Sequence, residues 1–303
     1  MLLSSLAIGI CGAWLTYRSA REMTDLAEKA AVSVATEEIR NYFKPVPEVT
    51  AELAADAQNG LLPMGDPHLL ARQLADRLRV REQLLWIGYG ETGSGRYIGA
   101  TRWREGDEIV EYVADPAVNG AVAKQVAVAE DGSERPPRVA ETVPYFVAQR
   151  QWFKDGLVRP GLYWTPFYKL FSAGYGYGIT CTVPFRARGA ATPQGLFHVD
   201  LSLKRITAFL SDIRVGEHGA VFLLDRQGRR VVSPEGGQVP AAASAVDSVA
   251  RAGASLDSSQ RLAAQDGKYE ILFSPIAVRG DLGLRLAVVV DQDDVTAGVY
   301  REG

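Results

Sequence analysis

Three stretches of this 303-residue chain gather side chains able to hold a small charged molecule. They are Tyr145-Phe146-Val147-Ala148-Gln149-Arg150-Gln151-Trp152-Phe153, then Trp164-Thr165-Pro166-Phe167-Tyr168, then Gly195-Leu196-Phe197-His198-Val199-Asp200. Arg150 offers a carboxylate a planar fork of donors and keeps its charge when partly desolvated. Asp200 complements an ammonium, and the rings of Tyr145, Trp152 and Tyr168 attract a cation to their faces. A zwitterion held between the two charges leaves neither buried unpaired, a state that costs several kcal/mol. Each residue also has a structural reading: a surface ion pair for Arg150, core packing for Trp152, Phe153, Trp164 and Tyr168, and a bridge to a buried arginine for Asp200.

Other chemical signals fail on their context. Gly88-Tyr89-Gly90-Glu91-Thr92-Gly93 matches G-x-G-x-x-G after a strand-like run. A dinucleotide site needs a helix to begin there, because the helix N-terminus holds the pyrophosphate. Ser94-Gly95 leads instead into a second strand-like run, Tyr97 to Thr101, so the segment is read as a hairpin turn. His68, His198 and His218 lack metal-type spacing, and neither a metal nor a cofactor is expected. No G-x-S-x-G, H-E-x-x-H or P-loop occurs. The chain is read as a non-enzyme, with any catalytic output domain expected beyond residue 303. Cys11 and Cys181 lie far apart, the first in an apolar run, and no disulfide is expected.

These groups need elements to position them. The run from Arg21 to Phe43 reads as a long helix with Met23, Leu26, Ala30, Val34 and Ile39 on one stripe. Pro45 and Pro47 interrupt it, Val49 to Ala57 resumes helical character, and Asn59-Gly60 ends it. Asp66 followed by Pro67 marks the start of another helix, running to about Arg79. Strands are predicted at Leu84 to Tyr89, Arg96 to Arg102, Ile109 to Ala114, Gly174 to Phe185 and Gly195 to Ser202, with Asp115 to Ala140 as surface loop. A short helix over Leu203 to Ile213 leads into a second unit. There Ala220 to Asp225 and Arg229 to Ser233 flank a turn, a helix follows near Ala241 to Ala252, and strands run over Tyr269 to Ile276 and Leu284 to Val290.

Strand alternation places His198, Asp200 and Ser202 on one face, opposite Phe197, Val199 and Leu201. Gly176, Gly178, Thr180 and Thr182 likewise share a face, and these small residues are expected to form the floor of a cavity with Asp200.

Composition bounds the class. Hydrophobic residues make up 47% and charged residues 23%, as in folded proteins, and the length suits about two domains. The 33 Lys and Arg are scattered among 36 Asp and Glu, which excludes the basic face of a nucleic-acid binder. Met1 to Leu15 carries no charge, and Trp14, Tyr17, Arg18 and Arg21 follow at its edge. Residues 1–20 are read as a partial transmembrane anchor, with a signal peptide as the alternative.

The Tyr145, Arg150-x-Trp152, Tyr168 and Asp200 set resembles the ligand-binding region of double Cache domains, the extracytoplasmic sensors of bacterial chemoreceptors, histidine kinases and cyclases. The resemblance extends over most of the chain, as far as the strand-turn-strand from Leu223 to Val232. It implies an α+β fold in which a long N-terminal helix is followed by two PAS-like modules with antiparallel sheets. Residues 21–83 would form the helices, 84–201 a membrane-distal ligand-binding module, 202–294 a membrane-proximal module, and 295–303 the start of a connector to a second transmembrane helix. In the amino-acid-binding branch the motif is Tyr, four residues, Arg, one residue and Trp-Tyr, followed by a Tyr and an Asp. Tyr145, Arg150 and Trp152 keep that spacing, Tyr168 and Asp200 stand for the later two, and Phe153 replaces a tyrosine, removing one hydroxyl. The implied function is a sensor for an amino acid or a related small amine or carboxylate. It would be held in the bacterial inner membrane by the N-terminal helix, face the periplasm or exterior, and form a homodimer along that helix. Two rivals stand beside it: a structural or protein-interaction ectodomain of the same fold with a filled pocket, and a periplasmic hydrolase.

Overall fold

The computed structural model describes residues 18–19, 22, 26, 29–30, 32–103, 108–129, 131–171, 176–213, 215–234, 239–251, 260–264, 267–280 and 282–294. Residues 32–43 are helical (α1), and the chain turns at Lys44 into α2 (Pro45–Gln58), whose first residue is the proline expected to interrupt the helix. A proline is tolerated in the first turn because its missing N–H has no partner there in any case. Asn59 caps α2, and Gly60 adopts φ +72°. Next comes α3 (Pro67–Arg79), where the Asp66 carboxylate accepts from the backbone N–H groups of His68 and Leu69, each at 3.0 Å.

The chain divides into two compact units: residues 41–206 with 277–282, and residues 1–40, 207–276 and 283–303. In the first, the strands are β1 (Trp86–Glu91), β2 (Tyr97–Arg102), β3 (Ile109–Ala114), β4 (Lys124–Val128), β5 (Glu134–Arg135), β6 (Tyr163–Trp164), β7 (Tyr168–Lys169), β8 (Tyr177–Phe185) and β9 (Gly195–Ser202). They form one antiparallel sheet in the order β5-β4-β3-β2-β1-β9-β8-β6, with β7 also pairing with β8. The G-x-G-x-x-G segment is the hairpin read from the sequence: β1 pairs with β2, Gly88 opposite Gly99.

Several elements of this unit were not expected, β6 and β7 among them. Asp115 to Ala140 is not all loop, since it holds α4 (Pro116–Asn119), β4 and β5. Lys124 is exposed while Ala127 and Val128 are buried against β3, so the strand is held by its ladder rather than marked by its own alternation. A seven-residue helix, α5 (Gln151–Leu157), follows a single 3-10 turn at Val147–Gln149.

Both faces of the sheet are covered. On one side α2 lies against β8 and β9, and α3 against β1, β2 and β3. On the other lies α5, with Gly156 close to the Thr182 hydroxyl of β8. Every residue of β9 is buried as a result. The α5 side holds one large aromatic core that includes Trp86, Tyr97, Tyr112, Tyr145, Trp152 and Phe153.

The second unit has a five-stranded antiparallel sheet, β11 (Arg230–Val232), β10 (Ala220–Leu224), β14 (Arg285–Asp291), β13 (Tyr269–Pro275) and β12 (Gln260–Ala264), in that order. Before it runs α6 (Leu203–Asp212); α7 (Val239–Arg251) packs on the sheet over Phe222, Ile271, Phe273 and Val289. The strand β12 was not expected from the sequence; its partner β13 supplies the pairing.

No helix among the described residues is long and apolar enough to cross a membrane. The anchor expected over 1–20 lies, apart from residues 18 and 19, outside the described residues, as does the connector expected over 295–303.

Candidate functional site

Six residues singled out by sequence lie on the α5 side of the larger sheet or at its rim. Arg150 caps the N-terminus of α5 with extended backbone, φ −74° and ψ 139°, and is half-buried. Trp152 and Phe153 follow in the first turn and are buried, Tyr145 is buried in the loop before them, half-buried Tyr168 starts β7, and buried Asp200 stands in β9.

The Arg150 guanidinium lies over two rings, 4.9 Å from the centre of Phe171 and 5.4 Å from that of Tyr145. Among the described residues it is paired with no carboxylate. The Tyr145 hydroxyl accepts from Trp152 Nε1 at 3.3 Å, and its own proton meets no acceptor among the described residues. Burial raises the Tyr145 pKa, Arg150 opposes that rise, and Asp200 adds to it. This end of the site therefore consists of donors.

The opposite end has the reverse polarity. Asp200 Oδ1 accepts from the Thr180 hydroxyl at 2.7 Å and from His198 Nδ1 at 3.0 Å, while Oδ2 is in no hydrogen bond to a described residue. Thr180 spends its single proton on Asp200, so the Tyr168 hydroxyl, 2.7 Å away, must donate to Thr180 Oγ1. That leaves the Tyr168 oxygen, like Asp200 Oδ2, as an acceptor. Burial pushes the Tyr168 pKa well up, the Asp200 charge pushes it further, and Arg150 opposes both.

Tyr145 and Tyr168 thus each feel Arg150 and Asp200 together, yet the two charged groups form no ion pair with one another. The structure brings Tyr145, Arg150, Trp152, Tyr168 and Asp200 around one region. Phe153 points elsewhere: its ring packs where a Cβ on Gly90 would sit, 2.9 Å away, and edge-on to Trp152. Trp164 lies across the sheet, edge-on to Phe43 on α1 and donating to the Arg279 carbonyl at 3.0 Å.

Two of the small residues expected to floor a cavity are covered by neighbours. Leu170 covers Gly178, where a Cβ would lie 2.6 Å from its Cδ1, and Thr182 sits under Gly156. Among these, Thr180 is the residue that reaches the Asp200 carboxylate.

Sequence reasoning did not assign His198 or Tyr97 to the site. The His198 ring stacks on Trp152 at 4.2 Å between centroids, and its Nε2 meets the Tyr97 hydroxyl at 2.9 Å. Strand alternation already put His198 on the face of Asp200, whereas Tyr97 is brought in by the register of β2, β1 and β9. In the second unit, Glu217, His218 and Asp294 gather their potential ligand atoms within 4.8 Å. Asp294 is already engaged there, accepting from the backbone N–H groups of Glu217 at 2.8 Å and His218 at 2.7 Å and bonding to His218 Nδ1.

No protein-family model and no curated protein matches the chain. Solved structures do. The extracellular domain of soHK1S-Z6, assigned as a histidine kinase, aligns with TM-score 0.61 at 17% identity, covering 93% of this chain and 99% of that one. The ligand-binding domain of the Pseudomonas aeruginosa amino-acid chemoreceptor PctC, in complex with GABA, aligns with TM-score 0.56 at 19% identity over 89% of this chain and 100% of that one. That of the Pseudomonas fluorescens chemoreceptor CtaA, in complex with L-serine, aligns with TM-score 0.57 at 16% identity over 90% and 99%.

Proposed function

From the double Cache, PAS-like fold that the chain shares with extracellular sensor domains, we propose that it is the extracytoplasmic sensor of a membrane-held signalling receptor and binds an amino acid or a related small amine or carboxylate. The ligand would sit between Arg150 and Asp200. Its carboxylate would meet the Arg150 guanidinium and the Tyr145 hydroxyl, and its ammonium Asp200 Oδ2 and Tyr168. Trp152 would wall the space between.

One observation carries this reading. Arg150 lies over the Tyr145 ring and Asp200 is linked through Thr180 to Tyr168, and among the described residues neither charge is paired with another charged side chain except for the Asp200 contact to His198. Burying unlike charges near each other but apart is unfavourable unless something completes the circuit. A zwitterion of amino-acid size does so. Signalling follows only insofar as the ligand favours one of two receptor states over the other.

A thermal-shift screen of the purified chain against amino acids, amines, carboxylates and purines tests the proposal, because a ligand that binds only the folded state raises the melting temperature. At least one amino acid or close analogue is expected to do so. A screen in which none of these compounds stabilises the chain would leave the protein-interaction ectodomain as the better description.

A further inference from the structure

Asp200 stands in a chain of hydrogen bonds whose direction is set by the carboxylate itself. An ionised carboxylate only accepts, so Thr180 and His198 must both donate to Oδ1. If His198 Nδ1 carries a proton, a neutral ring leaves Nε2 as an acceptor, and the Tyr97 hydroxyl supplies the proton for it. Tyr97 is fully buried and His198 nearly so, and the ring nitrogen is the hydrogen-bond partner found for that hydroxyl. A cationic His198 would turn Nε2 into a donor and strand the Tyr97 proton in the core, an unfavourable arrangement.

The backbone is shaped around this contact. A Cβ on Gly88 would lie 2.1 Å from the Tyr97 hydroxyl oxygen and 2.7 Å from His198 Nε2, and one on Gly99 would lie 2.5 Å from the same oxygen. Both strands therefore carry glycine where Tyr97 crosses to reach the imidazole. Trp152, stacked on the imidazole ring, completes the contact.

We infer that His198 is a positioning residue of the proposed site: a neutral ring with its proton on Nδ1, held from behind by Tyr97, it fixes the Asp200 carboxylate with Oδ1 occupied and Oδ2 open. What remains at this end is a pair of acceptors, Asp200 Oδ2 and the Tyr168 oxygen. The matching ligand group is a cation that brings N–H donors. A quaternary ammonium has the charge but no proton to give, and the site discriminates against it. The ligand class rests on the amino-acid reading above; the state of the imidazole does not.

Two measurements on the full chain separate the claims. Long-range proton–nitrogen NMR reads the tautomer of each of the three histidines, with His198→Gln identifying the relevant signals. The His198 proton is expected on Nδ1, and a proton on Nε2 or a doubly protonated ring at neutral pH overturns the inference.

Calorimetry then takes the twenty common amino acids and GABA as probes and compares the strongest binder with its N,N,N-trimethyl derivative. The derivative is expected to bind at least thirtyfold more weakly, and equal binding overturns the inference. His198→Asn can place a donor where Nδ1 was, whereas His198→Gln extends its amide toward the Nε2 position. The Gln variant is expected to lose at least tenfold in affinity and the Asn variant to recover most of it. Equal losses in the two, with melting temperatures matched, reduce His198 to packing and also overturn the inference. If no probe binds the parent chain, the amino-acid reading fails and the tautomer alone decides the state of His198.

Discussion

At Arg150 the guanidinium lies on the faces of Tyr145 and Phe171, and at Asp200 Oδ1 accepts from Thr180 and His198; among the described residues no carboxylate pairs with the first and no hydrogen bond reaches Oδ2 of the second. Both groups are held by neighbours that do not neutralise them. Removing either is therefore expected to cost binding far more than folding. Arg150→Ala and Asp200→Asn should each weaken the ligand found by screening by on the order of 2–5 kcal/mol, the usual loss when one partner of a buried charge pair is removed. Circular dichroism should remain that of the parent, and unchanged affinity in either variant would remove that residue from the site. The tyrosines supply a pH dependence whose sign is fixed. Burial raises the pKa values of Tyr97, Tyr145 and Tyr168, so the native chain keeps phenol protons that the unfolded chain releases near pH 10. Their contribution is fully present below that value and is lost as pH rises through the folded-state pKa values. Urea midpoints should accordingly fall on going from about pH 9 to 11, and less steeply in Tyr145→Phe. An unchanged slope in that variant would show that Tyr145 ionises alike in both states.

Strands place the acceptors, and the loop leading into a short helix places the donors. Asp200 faces Thr180 across the β8–β9 ladder and Trp86 across the β9–β1 ladder, so a slip of one residue would turn the carboxylate toward α2. Gly88 is the most exposed to test at this scale. Gly88→Ala puts a methyl group into the Tyr97–His198 contact, and chemical denaturation is expected to show a loss of about 1–3 kcal/mol, typical of overpacking. A neutral result would mean that Tyr97 moves aside freely and does not hold His198. The same elements show why part of the site was legible in the sequence and part was not. Arg150, Trp152 and Asp200 announce themselves by residue type and local spacing, and alternation along β9 sets the direction of Asp200. α5 is too short at seven residues, with Gly156 inside it, to display a helical period. The pairing of Tyr97 with His198 depends on register across three strands, one of them about a hundred residues from the other two, and no local pattern carries it. β4 and β12 were missed for a related reason, being completed by partners rather than by their own alternation.

Each of the two units in the whole molecule has a core of its own. The larger is built on the aromatic cluster of the α5 face and carries the proposed site, and the smaller on Phe222, Ile271, Phe273, Val289 and the apolar face of α7. The overall α+β plan was readable because helices, strands and turns alternate with clear boundary signals: Asp66-Pro67 starts a helix, Asn59-Gly60 ends one, and the Asp225–Gly228 turn joins two strands. Separate cores imply separable energetics. Phe273→Ala, at a position 1% exposed, should destabilise its unit by about 3–5 kcal/mol while leaving ligand affinity of the folded chain within twofold. A large affinity loss at temperatures where that unit remains folded would show that the two cores are coupled. Charge at both ends of the ligand is the point that matters most, and it is read most directly by calorimetric titration of the screened amino acid beside its methyl ester and its N-acetyl derivative. The free amino acid should bind, while the ester, lacking the carboxylate, and the N-acetyl form, lacking the ammonium, should each be weaker by at least a hundredfold. Either derivative binding as tightly as the free amino acid would contradict a site that grips its ligand by Arg150 at one end and Asp200 at the other.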